Sequence, residues 1–308
     1  MLIVYSEDPN FKTIELNLYG VDETIYFSIN DDKLFNYMRK HMEKVPKYSY
    51  IDNKDIEYII GLDPELAFWY AKHVLHKRWA DIGKPEVEDV IGKDKDWGFY
   101  YAKEVLECSW ASIGKPEIED RMCMDGELAT RYASQILKKR WADVGKPEVE
   151  DRISKNPVHA CLYANDVLQK RWVDVGKPEI EDIIGDNLST ACYYANDILH
   201  CRWTDIGKEW VENRIGKNSK YACWYASNVL HCRWADIGKP EVEDVIGKNP
   251  EWAYFYASGI LKCRWSKIGK FEIDNKMNKN PIWSMVYNNI QDTSVFHQSV
   301  SPLVYLLH

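Results

Sequence analysis

The chain has 308 residues, and its hydrophobic content of 45% is enough to form a buried core. Its net charge of −8 at pH 7 argues against a general binder of nucleic acid or anionic membranes. The apolar runs are far shorter than the ~20 residues that span a bilayer, and the first residues lack the features of a secretory signal. We therefore expect a cytoplasmic protein that acts without contacting a membrane.

The first 45 residues contain alternating stretches typical of β-strands. FKTIELNLYG and TIYFSIN alternate in this way with the turn-like GVDE between them, and LIVYS is a third candidate strand. DDKLFNYMRKHMEKV then has the acidic start of a helix. The pattern predicts a small α/β cap over residues 1–45, of the kind that covers the open end of a repeat array.

A 31-residue repeat dominates the rest of the chain. Tryptophan, glycine and a Tyr-Ala pair recur at this interval without insertion or deletion, and a fixed period in this range indicates a solenoid. The sequence predicts an all-α solenoid of tandem 31-residue helix-turn-helix repeats over residues 46–290. It comprises a half unit, seven full units from Asp63 and a terminal helix. The repeated tryptophans are Trp79, Trp110, Trp141, Trp172, Trp203, Trp234 and Trp265.

The unit that begins at Asp63 shows how each repeat is expected to fold. Asp63 and Pro64 form a helix start, and the apolar spacing predicts a first helix that runs to about Trp79. Gly83 ends that helix, and Pro85 opens a shorter second helix. A hairpin this small cannot bury its apolar side alone, so each copy supplies the wall against which the next one packs.

An arginine precedes the repeated tryptophan in six of the seven units, and Ser109 takes its place in the other. We expect Arg78 and its equivalents to pair with the acidic column of Glu88, in the same or an adjacent unit. A residue that recurs in every unit is expected to be structural rather than catalytic. The cysteines also fall mostly into columns, too far apart for disulfides at a helix spacing of ~8–10 Å. We expect free thiols in a reducing compartment.

The side of the first helix that faces away from the core is the candidate binding surface. It has a broken row of aromatic residues flanked by polar residues that vary between units, a composition typical of interaction hot spots. The alternative is that each ring packs sideways on the helix of the next unit. The candidate partner-binding residues are Trp69, Tyr100, Tyr193, Trp224, Phe255, Asp166, Asp197, His200 and His231.

No arrangement in the sequence indicates catalysis, because nothing pairs a nucleophile with a base outside the repeated framework. IGKPE lacks the rest of a phosphate-binding loop. His200-Cys201 and His231-Cys232 resemble metal ligands, but neighbouring helical residues diverge and the two units lie too far apart for one zinc ion. We therefore predict a protein that is not an enzyme, with no catalytic residues, no cofactor and no metal.

The pattern A-x-x-Y-A-x-x-V/I-L-x-x-R-W, followed by a short acidic helix, resembles a known type of repeat. It is similar to short α-helical hairpin repeats in uncharacterised proteins of large tailed bacteriophages and giant DNA viruses. The resemblance covers Asp63 to Asn280. It implies an α-solenoid of viral origin that acts on a host system, and it brings no catalytic residues. Its carriers in one unit are Tyr163-Ala164, Val167-Leu168, Arg171-Trp172, Glu181 and Ile184.

Three functions remain open from the sequence. The first is a scaffold that binds a host or viral protein, without direct nucleic-acid contact, as a viral accessory or host-counteracting factor. The second is an acidic DNA mimic, in which the columns of Glu86, Glu88 and Asp89 form a negative ribbon that occupies a DNA-binding protein. The third is a structural protein that self-associates through the C-terminal tail, residues 291–308, which contains the apolar PLVYLLH.

Overall fold

The computed structural model describes the backbone of residues 2–5, 11–18 and 21–28, residue Glu57 and residues 60–292, with side chains for Glu57 and residues 60–290. The chain divides into two compact units, Met1–Met122 and Cys123–His308, which are described separately. The helix predicted between residues 31 and 45 and the tail from residue 293 lie outside the described residues. The predicted domain boundaries at residues 45 and 290 stay predictions.

Three antiparallel strands precede the repeats, in the order β1 (Leu2–Tyr5), β2 (Phe11–Leu18) and β3 (Val21–Ser28). They correspond to the three stretches that the alternation predicts. Leu18 pairs with Val21 in the antiparallel ladder of β2 and β3. Three residues of the predicted turn GVDE, Val21 to Glu23, belong to β3, so that part of the turn prediction is wrong.

Helical hairpins follow in a regular repeat of 31 residues, which confirms the predicted all-α repeat architecture. Each repeat has a first helix and a second helix, and each first helix packs on the first helix of the next repeat within its unit. In the first unit these are α1 (Pro64–Tyr70), α2 (Pro85–Ile91), α3 (Lys95–Tyr101) and α4 (Pro116–Met122). In the second unit they are α5 (Gly126–Tyr132), α6 (Pro147–Ile153), α7 (Pro157–Tyr163), α8 (Glu179–Asp186), α9 (Leu188–Tyr194), α10 (Glu209–Ile215), α11 (Ser219–Tyr225), α12 (Pro240–Ile246), α13 (Pro250–Tyr256), α14 (Phe271–Lys279) and α15 (Trp283–Asn288).

The first helices begin where the capping residues predict. The carboxylate of Asp63 accepts a hydrogen bond from the amide of Leu66 at 2.9 Å, and an Asp or Asn side chain caps each later first helix. The side chain of Asn280 caps the terminal helix by accepting from the amides of Ile282 and Trp283. The other caps are Asp94, Asp125, Asn156, Asn187, Asn218 and Asn249.

The first helix ends earlier than predicted. After α1 the chain makes a π-helical turn, Ala71–Leu75, and then His76 adopts the left-handed conformation with φ 52°. Arg78 is extended, and Trp79 opens a short 3-10 turn. The prediction of a helix to Trp79 is therefore wrong, because a left-handed residue stops it three residues before. The same conformation recurs at Glu107, Lys138, Gln169, His200, His231 and Lys262.

Tryptophan and tyrosine form the core of each 31-residue repeat. All seven repeated tryptophans are fully buried, and each is covered by a tyrosine from the first helix of its own repeat. The rings of Tyr194 and Trp203, for example, stack with centroids 5.6 Å apart. The short 3-10 turn places the tryptophan beneath this tyrosine, so the core repeats although the first helix is shorter than predicted.

Candidate functional site

The arginine that precedes six of the seven repeated tryptophans forms a bidentate ion pair inside its own repeat. The Nε and Nη2 atoms of Arg171 each lie 3.0 Å from an oxygen of Glu181, whose side chain is buried. This confirms the predicted pairing and places it within the unit. The geometry gives two parallel charge-assisted hydrogen bonds. The equivalent pairs are Arg78–Glu88, Arg140–Glu150, Arg202–Glu212, Arg233–Glu243 and Arg264–Asp274.

A tyrosine of the following repeat completes this network. The hydroxyl of Tyr194 donates to Glu181 at 3.2 Å and accepts from the amide of Trp172 at 3.1 Å. The indole Nε1 of Trp172 donates to the carbonyl of Ala160 at 3.0 Å. The Tyr194 hydroxyl therefore provides hydrogen bonds to the amide of Trp172 and the carboxylate of Glu181, both of which belong to the preceding repeat. Tyr101, Tyr163, Tyr225, Tyr256 and Tyr287 make the same two contacts.

The half units at both ends of the array reproduce this arrangement. Tyr70 donates to Glu57 at 3.4 Å, so Glu57 takes the position that Glu88 occupies in the next repeat. Burial, and then the charge and hydrogen bond of Glu57, raise the pKa of Tyr70 to about 12. Tyr287 of the terminal helix donates to Asp274 at 2.7 Å. The network is thus a framework element that extends into both half units.

Burial raises the pKa of the framework tyrosines and of the thiols of Cys161, Cys192 and Cys223. Burial raises the pKa of Tyr194 far above its usual range; the amide of Trp172 lowers it and Glu181 raises it. Burial also raises the pKa of the Cys223 thiol to about 12. A protonated thiol or phenol is a weak nucleophile. These hydroxyls and thiols therefore stay protonated at neutral pH.

The acidic ribbon predicted on the second helices is interrupted. The column of Glu88 is buried in the arginine pairs, and the column of Asp89 is bridged by the lysine of the next repeat. In the first unit Lys115 lies 2.5 Å from Asp89, and in the second Lys270 lies 2.5 Å from Asp244. Glu209 lies 3.8 Å from Lys239. The exposed acids that remain outside these pairings are Glu86, Glu117, Glu148, Glu179, Glu241 and Glu272.

The predicted row of exposed aromatic residues is mostly covered. Trp224 is only 5% exposed, while Trp69, Tyr100, Tyr193 and Phe255 are half-buried. The rings of Tyr193 and Trp224, from adjacent repeats, lie 5.4 Å apart. The structure therefore contains the sideways ring packing that was the alternative. The prediction that Trp224 is exposed is wrong, because its ring packs on Tyr193 of the neighbouring repeat.

The polar candidate residues are exposed as predicted. Asp166 and Asp197 occupy equivalent positions in two successive repeats, in the π-helical turns after α7 and α9. His200 and His231 are exposed at left-handed positions where first helices end. The structure thus brings Asp166, Asp197, Tyr193 and Trp224 onto adjacent repeats of the second unit, whereas Trp69 and Tyr100 belong to the first unit.

Three further residues of this surface were missed from the sequence. Leu162 is 44% exposed in the same column as Tyr193. The amide Nδ2 of Asn165 donates to Asp166 at 2.8 Å, and that of Asn196 donates to Asp197 at 2.5 Å. The signal that could have found them is the Ala-Asn-Asp triplet, which occurs in these two successive repeats. We call Leu162, Tyr193, Trp224 and these two Asn-Asp pairs the Asn-Asp surface.

Comparison of the chain with known protein families, curated proteins and solved structures finds no match. Within the part that the structure describes, no three His, Cys, Asp or Glu side chains are grouped so that they could hold a metal ion. No helix in that part is long and apolar enough to cross a membrane.

Proposed function

We propose that this protein is a non-enzymatic repeat scaffold that binds a protein partner through the first-helix surface of residues 123–290. One observation supports this most directly. The buried Trp, Tyr and Glu of the framework recur almost unchanged, whereas the exposed position of Asp166 differs between repeats. That column comprises His73, Glu104, Gln135, Asp166, Asp197, Asn228 and Gly259. A repeated framework whose displayed side chain changes between most of its repeats suits recognition of a partner along the array.

We further propose a viral origin, a host-counteracting or accessory role and a location in the host cytoplasm. These proposals follow from the resemblance of the repeat to hairpin repeats of large DNA viruses and phages. The DNA-mimic alternative has less support, because most carboxylates of its ribbon are buried or bridged by lysine. Charges that are paired in this way contribute little to the field at a distance.

The test is affinity capture from host-cell lysate with matched charge reversals. Asp166→Lys with Asp197→Lys changes the first-helix surface. Glu148→Lys with Glu179→Lys makes the same change in charge on the second-helix surface. Folding of all three proteins is checked by circular dichroism. We expect a discrete set of captured proteins that the first pair abolishes and the second pair retains. Loss with the second pair alone would favour the DNA mimic, and retention with both would contradict the proposal.

A second candidate function is self-association at the terminal repeat. Met285 is 77% exposed and Ile282 is 74% exposed, whereas Cys223, which occupies the position of Met285 in an inner repeat, is 3% exposed. The terminal helix therefore presents apolar side chains where inner repeats are covered. Light scattering over a range of concentrations tests this. A dimer that Met285→Glu dissociates would support it, and a monomer at all concentrations would exclude it.

A further inference from the structure

We infer that the Asn-Asp surface binds an extended basic peptide with a lysine or arginine at every third residue. The inference rests on the proposed function and names the chemistry of its partner. Four observations support it: unneutralised carboxylates in adjacent repeats, an adjacent aromatic pair, a buried indole N–H without an acceptor, and the interval between repeats.

The two carboxylates belong to one local patch. Asp166 and Asp197 follow α7 and α9, which pack on each other. Burial first, and then the charges of Asp197 and Asp166, raise the pKa of the Cys161 thiol to about 12, so both acids act on the same side chain. Within the described residues neither acid forms an ion pair. Their partners are the neutral amides of Asn165 and Asn196. Two like charges in one patch favour a cationic ligand.

The equivalent positions of the first unit do not offer this charge. There Glu104 occupies the position of Asp166, and its carboxylate lies 2.5 Å from the Nζ of Lys72. The same lysine lies 5.2 Å from the ring of Trp69. In the first unit, Lys72 of the chain itself thus already pairs with the carboxylate of Glu104 and lies over the ring of Trp69. In the second unit Asn165 and Asn196 stand where the lysine stands, so a basic side chain has to come from a ligand.

The aromatic pair beside these acids has an unused donor. Trp224 is almost completely buried against Tyr193, and its indole Nε1 has no hydrogen-bond partner. A buried N–H without an acceptor destabilises the free protein. A peptide carbonyl that reaches this nitrogen would supply the missing acceptor. The ring of Tyr193 is also suited to contact with a lysine or arginine. A peptide supplies both the cation and the acceptor, which a free metal cation does not.

The repeat interval sets the spacing of the basic residues. Helices that pack on each other lie ~8–10 Å apart, so equivalent acids recur at about this distance. A polyproline-type chain rises ~3.1 Å per residue, or ~9 Å in three residues. Lysines at every third position of such a chain therefore match successive repeats. A β-like chain with lysines at alternate positions spaces them at ~6.6 Å and does not match.

The experiment measures binding of a fluorescein-labelled peptide, acetyl-(Lys-Pro-Ala)4, to the full chain by anisotropy at low ionic strength. We expect Asp166→Asn with Asp197→Asn to weaken binding about tenfold. The matched control, Glu148→Gln with Glu179→Gln, removes two exposed charges from the second helices and is expected to stay within about twofold. Trp224→Phe removes the indole donor together with part of the ring, so its fold is first checked by circular dichroism; it is expected to weaken binding about threefold and to leave its salt dependence unchanged.

Each other outcome overturns the inference. Equal losses in both double variants would show attraction to overall negative charge, and equal binding by a peptide with lysines at alternate positions would contradict the spacing. If no basic peptide binds while lysate capture still depends on Asp166 and Asp197, the peptide assignment is wrong and the proposed function stands. If capture is also independent of these residues, both fail.

Discussion

The hydroxyl of Tyr194 lies 3.1 Å from the backbone nitrogen of Trp172, which belongs to the preceding repeat. The same hydroxyl donates to Glu181, the buried partner of Arg171. Tyr194 thus joins the ion pair of one repeat to the first helix of the next. Stability of the array therefore depends on contacts between neighbouring repeats as well as within them.

Removal of the Tyr194 hydroxyl should reduce the stability of the fold. Tyr194→Phe leaves the amide of Trp172 buried without an acceptor, so we expect the free energy of unfolding to fall by about 1–3 kcal/mol. Urea denaturation followed by circular dichroism measures the change. Tyr193→Phe, one residue before on a half-buried ring, is the control and should change stability by less than about 0.5 kcal/mol. Equal effects in the two variants would show that the interface is insensitive to the hydroxyl.

The buried tyrosines should make the fold sensitive to alkali. Burial first, with opposing contributions from the Trp172 amide and Glu181, leaves the pKa of Tyr194 far above its ordinary value of 10.0. Because the folded-state pKa is the higher one, the stabilisation is complete below pH 10 and is lost as the pH rises above it. Each such tyrosine can remove up to ~1.4 kcal/mol per pH unit.

Urea titrations between pH 8 and pH 11 test this alkaline sensitivity. Tyr194→Phe should show a shallower decline in the free energy of unfolding than the unchanged chain. Absorbance of tyrosinate should increase together with the loss of helix. Ionisation of all tyrosines near pH 10 with the helical signal retained would contradict the prediction.

The loss of folding stability at acidic pH should depend on Glu212. Burial raises the pKa of Glu212, but hydrogen bonds and charges of Arg202 and Lys239 lower it more, so the net shift is downward from 4.5. With the folded-state pKa lowered, the stabilisation is present above pH 4.5 and is lost as the pH falls below that value. Glu212→Gln should reduce stability at pH 7 by about 1–3 kcal/mol. It should also flatten the decline below pH 4.5, whereas the exposed control Glu241→Gln should leave the pH profile unchanged.

The left-handed positions should tolerate glycine well. His231 has φ 53°, a conformation that costs a residue with a Cβ about 1–2 kcal/mol relative to glycine. We expect His231→Gly to raise the free energy of unfolding by up to about 1 kcal/mol, and His231→Val to lower it. Leu230→Gly, one residue before in the π-helical turn, should be destabilising. Thermal and urea unfolding of the three variants would show whether this order holds.

The same substitution should affect stability differently in an inner repeat and in the terminal repeat. Cys223 and Met285 occupy the same position, but the first is buried and the second exposed. Cys223→Glu places a charge in an apolar contact and should destabilise by several kcal/mol. Met285→Glu should stay within about 0.5 kcal/mol. A large loss in Met285→Glu for a strictly monomeric sample would show that this residue is covered in solution.

The repeat interval, the helix caps and the Arg-Glu pairing could be predicted from the sequence, because each depends on residue types at fixed spacing. The early end of the first helix could not, since His76 and its equivalents have no composition that marks a left-handed conformation. Burial of Trp224 was missed because projection around one helix ignores the ring of Tyr193 on the neighbouring repeat. The prediction that Glu88 contributes to an exposed acidic ribbon was wrong for a related reason. A carboxylate that pairs with arginine beneath the surface does not contribute to an exposed charge.

The contact between Tyr194 and Trp172 also bears on how such a chain changes length. A repeat that is completed by the tyrosine of its successor accepts any successor with a tyrosine in that position, and every full unit supplies one. Insertion or deletion of one complete 31-residue repeat therefore keeps a tyrosine at the new junction, whereas a shift of even one residue misplaces the hydroxyl.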